Sequence, residues 1–397
     1  MNYTFSDKIV SLKPSAIREI LKMASDPNII PFTAGNPSSE AIPAETIRRF
    51  SAEILEQEPM AALQYSITEG YPKLREALKN FCRDRYRAFD GERDDLIITS
   101  GAQQAIELAC KVLCNEGDVV LCENPSFVGS LNSFRSYGVT LKGVAGDEDG
   151  VDMALLEEAM KTYHPKFFYV IPNFQNPSGR TMSWQRRQET YALAKRYGVL
   201  ILEDNPYGDL RFAGEPVPAI KSLDEDGLVI YCGSFSKILA PGLRVGFVSA
   251  PAPIIAKMTV GKQGSDVHTN ILAQMIAYRF LTEVDLPRHF AGLAEIYRHK
   301  CGLILSEMDK HFDKRVTYTR PQGGLFVWCT FPEGTDMTGF CKAAIPQGVA
   351  VVPGTAFVAN EETDVSYSFR MNYSTPSDEQ IVKGIAILAR LMQDYLK

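Results

Sequence analysis

No uncharged apolar run in this chain reaches the ~18 residues of a membrane span. The opening stretch, Met1-Asn-Tyr-Thr-Phe-Ser-Asp-Lys-Ile-Val10, lacks the basic segment and apolar block of a signal peptide, so a cytoplasmic protein with no membrane partner is expected. Cysteine is sparse: the eight residues 82, 110, 114, 122, 232, 301, 329 and 341 include no Cys-x-x-Cys, and several fall inside apolar segments. Such spacing predicts reduced core residues rather than a disulfide frame or a zinc site. Histidine is sparser still, with 5 in 397 residues and no His-Glu-x-x-His, and no metal site is expected. Missing too are a Gly-x-Gly-x-x-Gly after a strand and a Gly-x-x-x-x-Gly-Lys-Ser/Thr loop, which removes the usual support for dinucleotide or P-loop nucleotide binding. The net charge of −6 leaves no footprint for nucleic acid or an anionic membrane. Small-molecule chemistry is what these absences leave.

With 45% hydrophobic and 23% charged residues, the composition is that of an ordinary globular protein with a large core. Short apolar strands are predicted at Leu96-Thr99, Val119-Cys122, Thr140-Val144, Phe167-Ile171, Val199-Glu203, Leu228-Cys232 and Val245-Ser249. Helical patterns such as Gln103-Cys114, Phe127-Tyr137, Met153-Thr162 and Trp184-Arg196 separate most of them, the signature of a largely parallel, doubly wound α/β sheet. A long helix from Leu286 to His311 follows. Beyond it, strands at Val316-Thr319, Leu325-Phe331, Val349-Val352 and Tyr367-Met371 and a closing helix from Ser377 predict a smaller α+β domain. The early chain holds one short predicted helix, Ser15 to Ala24, too little to fold alone.

Chemistry-bearing residues gather just after the predicted strands, where α/β sheets bind ligands. Lys237 follows Leu228-Cys232 within Gly233-Ser-Phe-Ser-Lys-Ile-Leu-Ala-Pro-Gly-Leu-Arg244. Desolvation and a nearby cation such as Arg244 would lower its pKa from about 10.4, as a Schiff-base lysine needs. Ser234, Ser236 and Arg244 are groups that hold a phosphate. Alone, this stretch reads first as a solvated lysine in a Gly/Ser loop. Ser100-Gly-Ala-Gln-Gln104 lies between a strand and a helix, either an anion cradle of backbone N–H groups or a turn that is Gly-rich for steric reasons. Phe127 offers a ring for stacking or a core aromatic, and Asn176, in Asn173-Phe-Gln-Asn-Pro-Ser-Gly179, a donor to a ring oxygen or a turn residue. Asp204 can pair with a protonated ring nitrogen and Tyr207 can reach a ring oxygen. Arg370, ending a late strand, has the fork geometry for a carboxylate, or forms a surface ion pair. Their joint order makes one site of readings that are singly ambiguous.

The set Asn-Pro-Ser-Gly, Asp-x-x-Tyr, Ser-x-Ser-Lys-x-x-x-x-x-x-Arg and the late Phe-Arg resembles the class I pyridoxal-phosphate aminotransferases of fold type I. Pro14-Ser-Ala-Ile-Arg18, Thr33-Ala-Gly-Asn-Pro37 and Leu63-Gln-Tyr-Ser66 narrow the resemblance to the aminoadipate/kynurenine aminotransferase branch and the aminotransferase-like domain of MocR-type regulators. The resemblance implies a seven-stranded, mostly parallel sheet. It also implies an N-terminal arm in 1–44 that joins the small domain, a large pyridoxal 5'-phosphate-binding domain in 45–284, and a small C-terminal domain in 285–397. It implies that Lys237 forms the internal aldimine and then serves as acid/base, with Asp204 on the pyridine nitrogen, Asn176 and Tyr207 on the phenolic oxygen, and Phe127 stacked on the ring. Ala102, Gln103, Ser234, Ser236 and Arg244 would hold the phosphate, joined by Tyr65 of a neighbouring subunit in a homodimer. Arg370, with Asn176 and the backbone at Gly35, would bind the substrate α-carboxylate, and Arg18 its distal end. Phe127 departs from the tyrosine frequent in this branch, which removes a hydroxyl near the substrate.

The activity expected is ping-pong transfer of an amino group from an L-amino acid to a 2-oxo acid, 2-oxoglutarate first among them. Two alternatives share the cofactor: β-elimination at a C–S bond, and a non-catalytic sensing domain of a regulator. For the latter, the acidic balance and the short segment before Pro31 are the contrary signs.

Overall fold

Successive residues of a strand face opposite sides of a sheet. In the central strands of this chain both sets are apolar, so both faces must be covered. The computed structural model describes residues 3–10, 26 and 28–396. In it β1 (Asp94–Thr99), β2 (Val119–Glu123), β3 (Thr140–Val144), β4 (Phe167–Val170), β5 (Leu200–Asp204), β6 (Val229–Ser234) and β7 (Gly246–Pro251) form one seven-stranded sheet, ordered β1-β7-β6-β5-β4-β2-β3. Val120, Cys122, Phe167, Tyr169, Leu202 and Ile230 enter a core with Ile106 and Ala109 of the helix Gly101–Leu113. Their neighbours Leu121, Phe168, Val170, Ile201 and Val229 enter a second core with Met160 of the helix Met153–Tyr163 and Ala194 of the helix Trp184–Tyr197. This is the doubly wound α/β sheet the alternation predicts.

All strands are parallel except β7, which runs against both of its neighbours. Its beginning therefore lies at the edge where the others end, with Gly246 opposite both Thr99 and Ser234. Reversal of this one strand is what brings Arg244, two residues earlier, beside Ser100 and Ser236.

A second, antiparallel sheet contains Thr317–Tyr318, Phe326–Thr330, Ser368–Asn372 and Val352–Pro353, in that order. The helices Leu286–His311 and Asp378–Tyr395 pack on each other beside it, the latter started by a capping box between Ser377 and Gln380. The expected strand Val349–Val352 is divided. Val349–Ala350 pairs in parallel with Ile30–Pro31, whereas Val352–Pro353 pairs with Ser368–Asn372. The division follows from burial, because Val349 and Val351 belong to the main core and Val352 packs with Trp328 and Phe357.

Pairing of Ile30–Pro31 ties the early chain to the late one. The Phe32 carbonyl accepts the Asn372 N–H at 2.8 Å, and Ser374 Oγ donates to the Asn36 carbonyl at 2.6 Å. Residues 33–36 are held between these anchors. The helix expected at Ser15–Ala24 lies outside the described residues. All eight cysteines are free thiols, and among the described residues no helix is long and apolar enough to cross a membrane.

Candidate active site

Backbone crowding at the ends of β1, β6 and β7 builds the first wall of a cavity. Gly101 has φ +73, and a Cβ there would meet Arg244 Nη2 at 2.3 Å. A Cβ on Gly246 would meet the Ala102 nitrogen at 2.6 Å, so glycine is needed at both positions for this approach. Arg244 reaches Ser100 O at 3.2 Å and Ser236 Oγ at 3.4 Å, while Ser236 Oγ also accepts from Ser234 Oγ at 3.0 Å. Ala102 and Gln103 lie in the first turn of their helix, whose N–H groups have no intrahelical acceptor. Hydroxyls, a guanidinium and free N–H groups converge here as a phosphate would require.

Lys237 projects into the same cavity and donates from Nζ to the Gly35 carbonyl at 2.6 Å. Burial, then Arg244 and Arg370, lower its pKa to about 8. Asp204 ends β5 and is buried, and burial raises its carboxyl to about 7. One oxygen, Oδ2, accepts the Tyr169 hydroxyl at 2.8 Å. The other, Oδ1, is buried with no hydrogen-bond partner among the described residues. Its neighbour Glu203 faces the opposite side of the sheet, accepting the N–H groups of Ile220 and Lys221. The two-residue period of the strand thus selects Asp204, and not Glu203, for the cavity.

Arg370 dominates the opposite wall. On the second sheet it sits opposite Trp328 and Val352, with its guanidinium 4.4 Å from the Phe326 ring and 5.0 Å from the Phe357 ring. Nη1 donates to Asn176 Oδ1 at 2.8 Å and Nη2 to the Thr33 carbonyl at 2.6 Å, leaving Nε buried without a partner among the described residues. Burial lowers its pKa to about 10, yet it stays a cation at neutral pH. Asn176 owes its position to a loop that closes on this wall: Gly179 has φ +71, and a Cβ there would lie 2.5 Å from the Phe326 carbonyl oxygen. Tyr207 is buried beside Asn176, its phenol pushed up chiefly by burial, and its ring meets Phe326 edge-on at 5.8 Å.

These side chains enclose about 350 Å³, together with Phe127, Val128, Ile106 and Ile171. Of the residues singled out in the sequence, Gly35, Ala102, Gln103, Phe127, Asn176, Asp204, Tyr207, Ser234, Ser236, Lys237, Arg244 and Arg370 meet here. Tyr65 does not: it is 82% exposed, edge-on to His268 at 5.9 Å. Arg18 lies outside the described residues. Thr33 and Tyr169 belong to the site without having been singled out. Thr33 begins the Thr33-Ala-Gly-Asn-Pro37 stretch, but it contacts Arg370 through a carbonyl, which side-chain chemistry does not reveal. A larger cleft of about 660 Å³ is lined by Arg85 and Arg298 among others, Arg85 pairing with Asp209 and Arg298 with the Phe212 carbonyl. Volume alone does not pick out the site.

A buried lysine with a lowered pKa, a carboxyl oxygen without a donor and an arginine with a spare N–H thus share one cavity, groups able to meet a carbonyl, a cation and an anion. Residues 27–388 match the family model "Aminotransferase class I and II", and the chain belongs to this family. The aromatic-amino-acid aminotransferase 1 of Thermococcus litoralis is 39% identical, with 99% of this chain and 95% of that protein covered. Among solved structures, Pyrococcus horikoshii kynurenine aminotransferase, in complex with PMP, superposes with a TM-score of 0.95 at 37% identity, covering 99% of this chain and 98% of that one. The α-aminoadipate aminotransferase LysN from Thermus thermophilus, complexed with N-(5'-phosphopyridoxyl)-L-leucine, gives 0.90 at 35% identity, covering 99% and 98%. Such agreement along the whole chain establishes fold type I for this protein.

Proposed function

We propose that the protein is a pyridoxal 5'-phosphate-dependent aminotransferase that moves the amino group of an L-amino acid to a 2-oxo acid, 2-oxoglutarate in our reading, by a ping-pong cycle. The observation that carries this is the pair of buried unpartnered atoms, Asp204 Oδ1 and Arg370 Nε, flanking Lys237 in one cavity. An acceptor suits a protonated ring nitrogen, and a donor suits a substrate carboxylate. The cradle of Ala102, Gln103, Ser234, Ser236 and Arg244 fits the phosphate, and Phe127 the ring face. Once bound, the cofactor supplies an aldehyde to carry nitrogen and a ring that takes up the electron pair released at the substrate Cα.

Lys237 then has two tasks. With its pKa near 8, part of the population is neutral at pH 7 to 8 and can attack a carbonyl; released again, Nζ can take the proton from Cα and return it elsewhere. Asp204 would hold a protonated ring nitrogen as its anion. Asn176 and Tyr207 suit the ring oxygen, and Arg370 would fix the substrate carboxylate in the cavity that Lys237 enters. Arg18 is proposed for the distal end of a dicarboxylate.

We further infer a cytoplasmic homodimer in which a second copy supplies Tyr65 to the phosphate. Exposure of Met60, Leu63, Tyr65 and Ile67 in one short stretch supports a covering partner there. Residues 45–284 are proposed as the cofactor-binding domain, and 285–397 with part of 1–44 as the smaller one. The test is a half-reaction screen: protein loaded with pyridoxal phosphate is mixed with each common amino acid, aminoadipate and kynurenine while the visible absorbance is followed. Fast conversion to the pyridoxamine form with a few donors supports the reading. An unchanged spectrum with every donor, or ammonia release without a keto acid, would overturn it.

A further inference from the structure

Asp204 is open in front and tethered behind, and the tether points to a further functional residue. Tyr169 lies on β4, beside β5 and opposite Leu202, so its side chain shares the face from which Asp204 enters the cavity. Its hydroxyl donates to Asp204 Oδ2 at 2.8 Å and accepts from Ser130 Oγ, on the helix Val128–Arg135, also at 2.8 Å. A phenol has one proton to give. Because Ser130 donates to Tyr169, that proton is committed to Asp204. The Phe134 ring, edge-on at 5.4 Å, holds the Tyr169 ring in place. Ser130 and Tyr169 are completely buried, so water cannot stand in for either.

We propose that Tyr169, backed by Ser130, is a positioning residue for Asp204: by occupying Oδ2 it leaves Oδ1 as the single acceptor aimed at the cofactor ring nitrogen and keeps the carboxylate a weak base. This rests on the pyridoxal phosphate reading of the cavity. Burial raises Asp204, and the Tyr169 hydrogen bond acts against that rise. The nearby buried groups Glu123 on β2 and Cys232 on β6 provide no cation to replace it. Without the tether, a more basic Asp204 would draw the proton off the ring nitrogen, and the ring would lose the charge that makes it an electron sink.

The test compares wild type, Tyr169→Phe, Ser130→Ala, Asp204→Asn and the Tyr169→Phe/Asp204→Asn double variant. Two quantities are read: the Kd for pyridoxal phosphate and the pH midpoint of the visible absorbance of the loaded protein. That midpoint reports protonation of the nitrogen contributed by Lys237, which a positive ring lowers. Tyr169→Phe should raise it by roughly one unit and weaken binding about tenfold, with Ser130→Ala smaller in the same direction. In the Asp204→Asn background Tyr169→Phe should add nothing to the midpoint, since the anion it tunes is gone. A midpoint unmoved by Tyr169→Phe, or moved equally in both backgrounds, would reduce Tyr169 to packing and overturn the inference. A wild-type protein that acquires no visible band with pyridoxal phosphate would overturn the function reading and this inference together.

Discussion

The two walls of the cavity are assembled by different means. The wall bearing Lys237, Asp204, Ser234, Ser236 and Arg244 is made of the ends of adjacent strands in a single sheet and the short connection between two of them, so backbone pairing fixes Asp204 and Ser234 and anchors the connection at both ends. The facing wall joins segments far apart in the chain, with Arg370 binding Asn176 across 194 positions and Thr33 across 337. A cofactor that stays bound suits the first kind of wall. A substrate that must enter and leave suits the second, whose parts can separate without disturbing the sheet.

The largest departure from wild type should come from removing the one group that works between the walls. Lys237→Ala should lower the amino-acid half-reaction rate at least ~10³-fold, since both nucleophile and proton carrier are lost. Cofactor should still bind; stopped-flow spectra check the rate, and full turnover in this variant would sink the proposed function. Next in size, Arg370→Lys should raise KM for amino acids and keto acids about 100-fold by losing the forked contact. Steady-state kinetics check it, and an unchanged Kd for pyridoxal phosphate would confirm that the walls act separately. Arg244→Ala is the mirror experiment. Equilibrium titration should show cofactor binding weakened about 10- to 100-fold, with KM for the amino acid unchanged once the cofactor saturates. Were either substitution to affect both constants, the division into two walls would fail.

The smallest effect expected is on stability. Burial lifts Asp204 from its usual 3.8 to about 7, so between these values the folded apoprotein binds a proton that the unfolded chain does not. Stability from this carboxyl is therefore full below about pH 4 and is lost as the pH rises through 7. Asp204→Asn should raise the unfolding temperature of the apoprotein by a few degrees at pH 8 and by less at pH 5, as differential scanning calorimetry can check.

The same contrast governs what could be read from the amino acids. Most residues of the sheet wall follow an apolar run, Arg244 precedes one, and the seven runs foreseen are the seven strands of the sheet. Local hydrophobic pattern suffices there because a strand buried on both faces advertises itself and its end marks an edge. Val349–Val352 shows the limit: four apolar residues look like one strand, and only their separate partners, Ile30–Pro31 and Ser368–Asn372, divide them. Arg370 was legible as a forked cation after a strand. Thr33, which holds it through a carbonyl, was not, and neither was the hydroxyl chain from Ser130 through Tyr169 to Asp204. Such contacts depend on which strands become neighbours, and residue type says little about that.

By itself, then, the sequence determined the doubly wound architecture and the kinds of group the site contains. Each of these follows from local periodicity and local sterics. Tertiary structure alone decided that Asp204 keeps one oxygen free and that Lys237 is desolvated enough to sit near pKa 8. The physical reason is that burial and hydrogen-bond supply are set by strand order and by segments hundreds of residues away, and the chain acquires them only once it has folded.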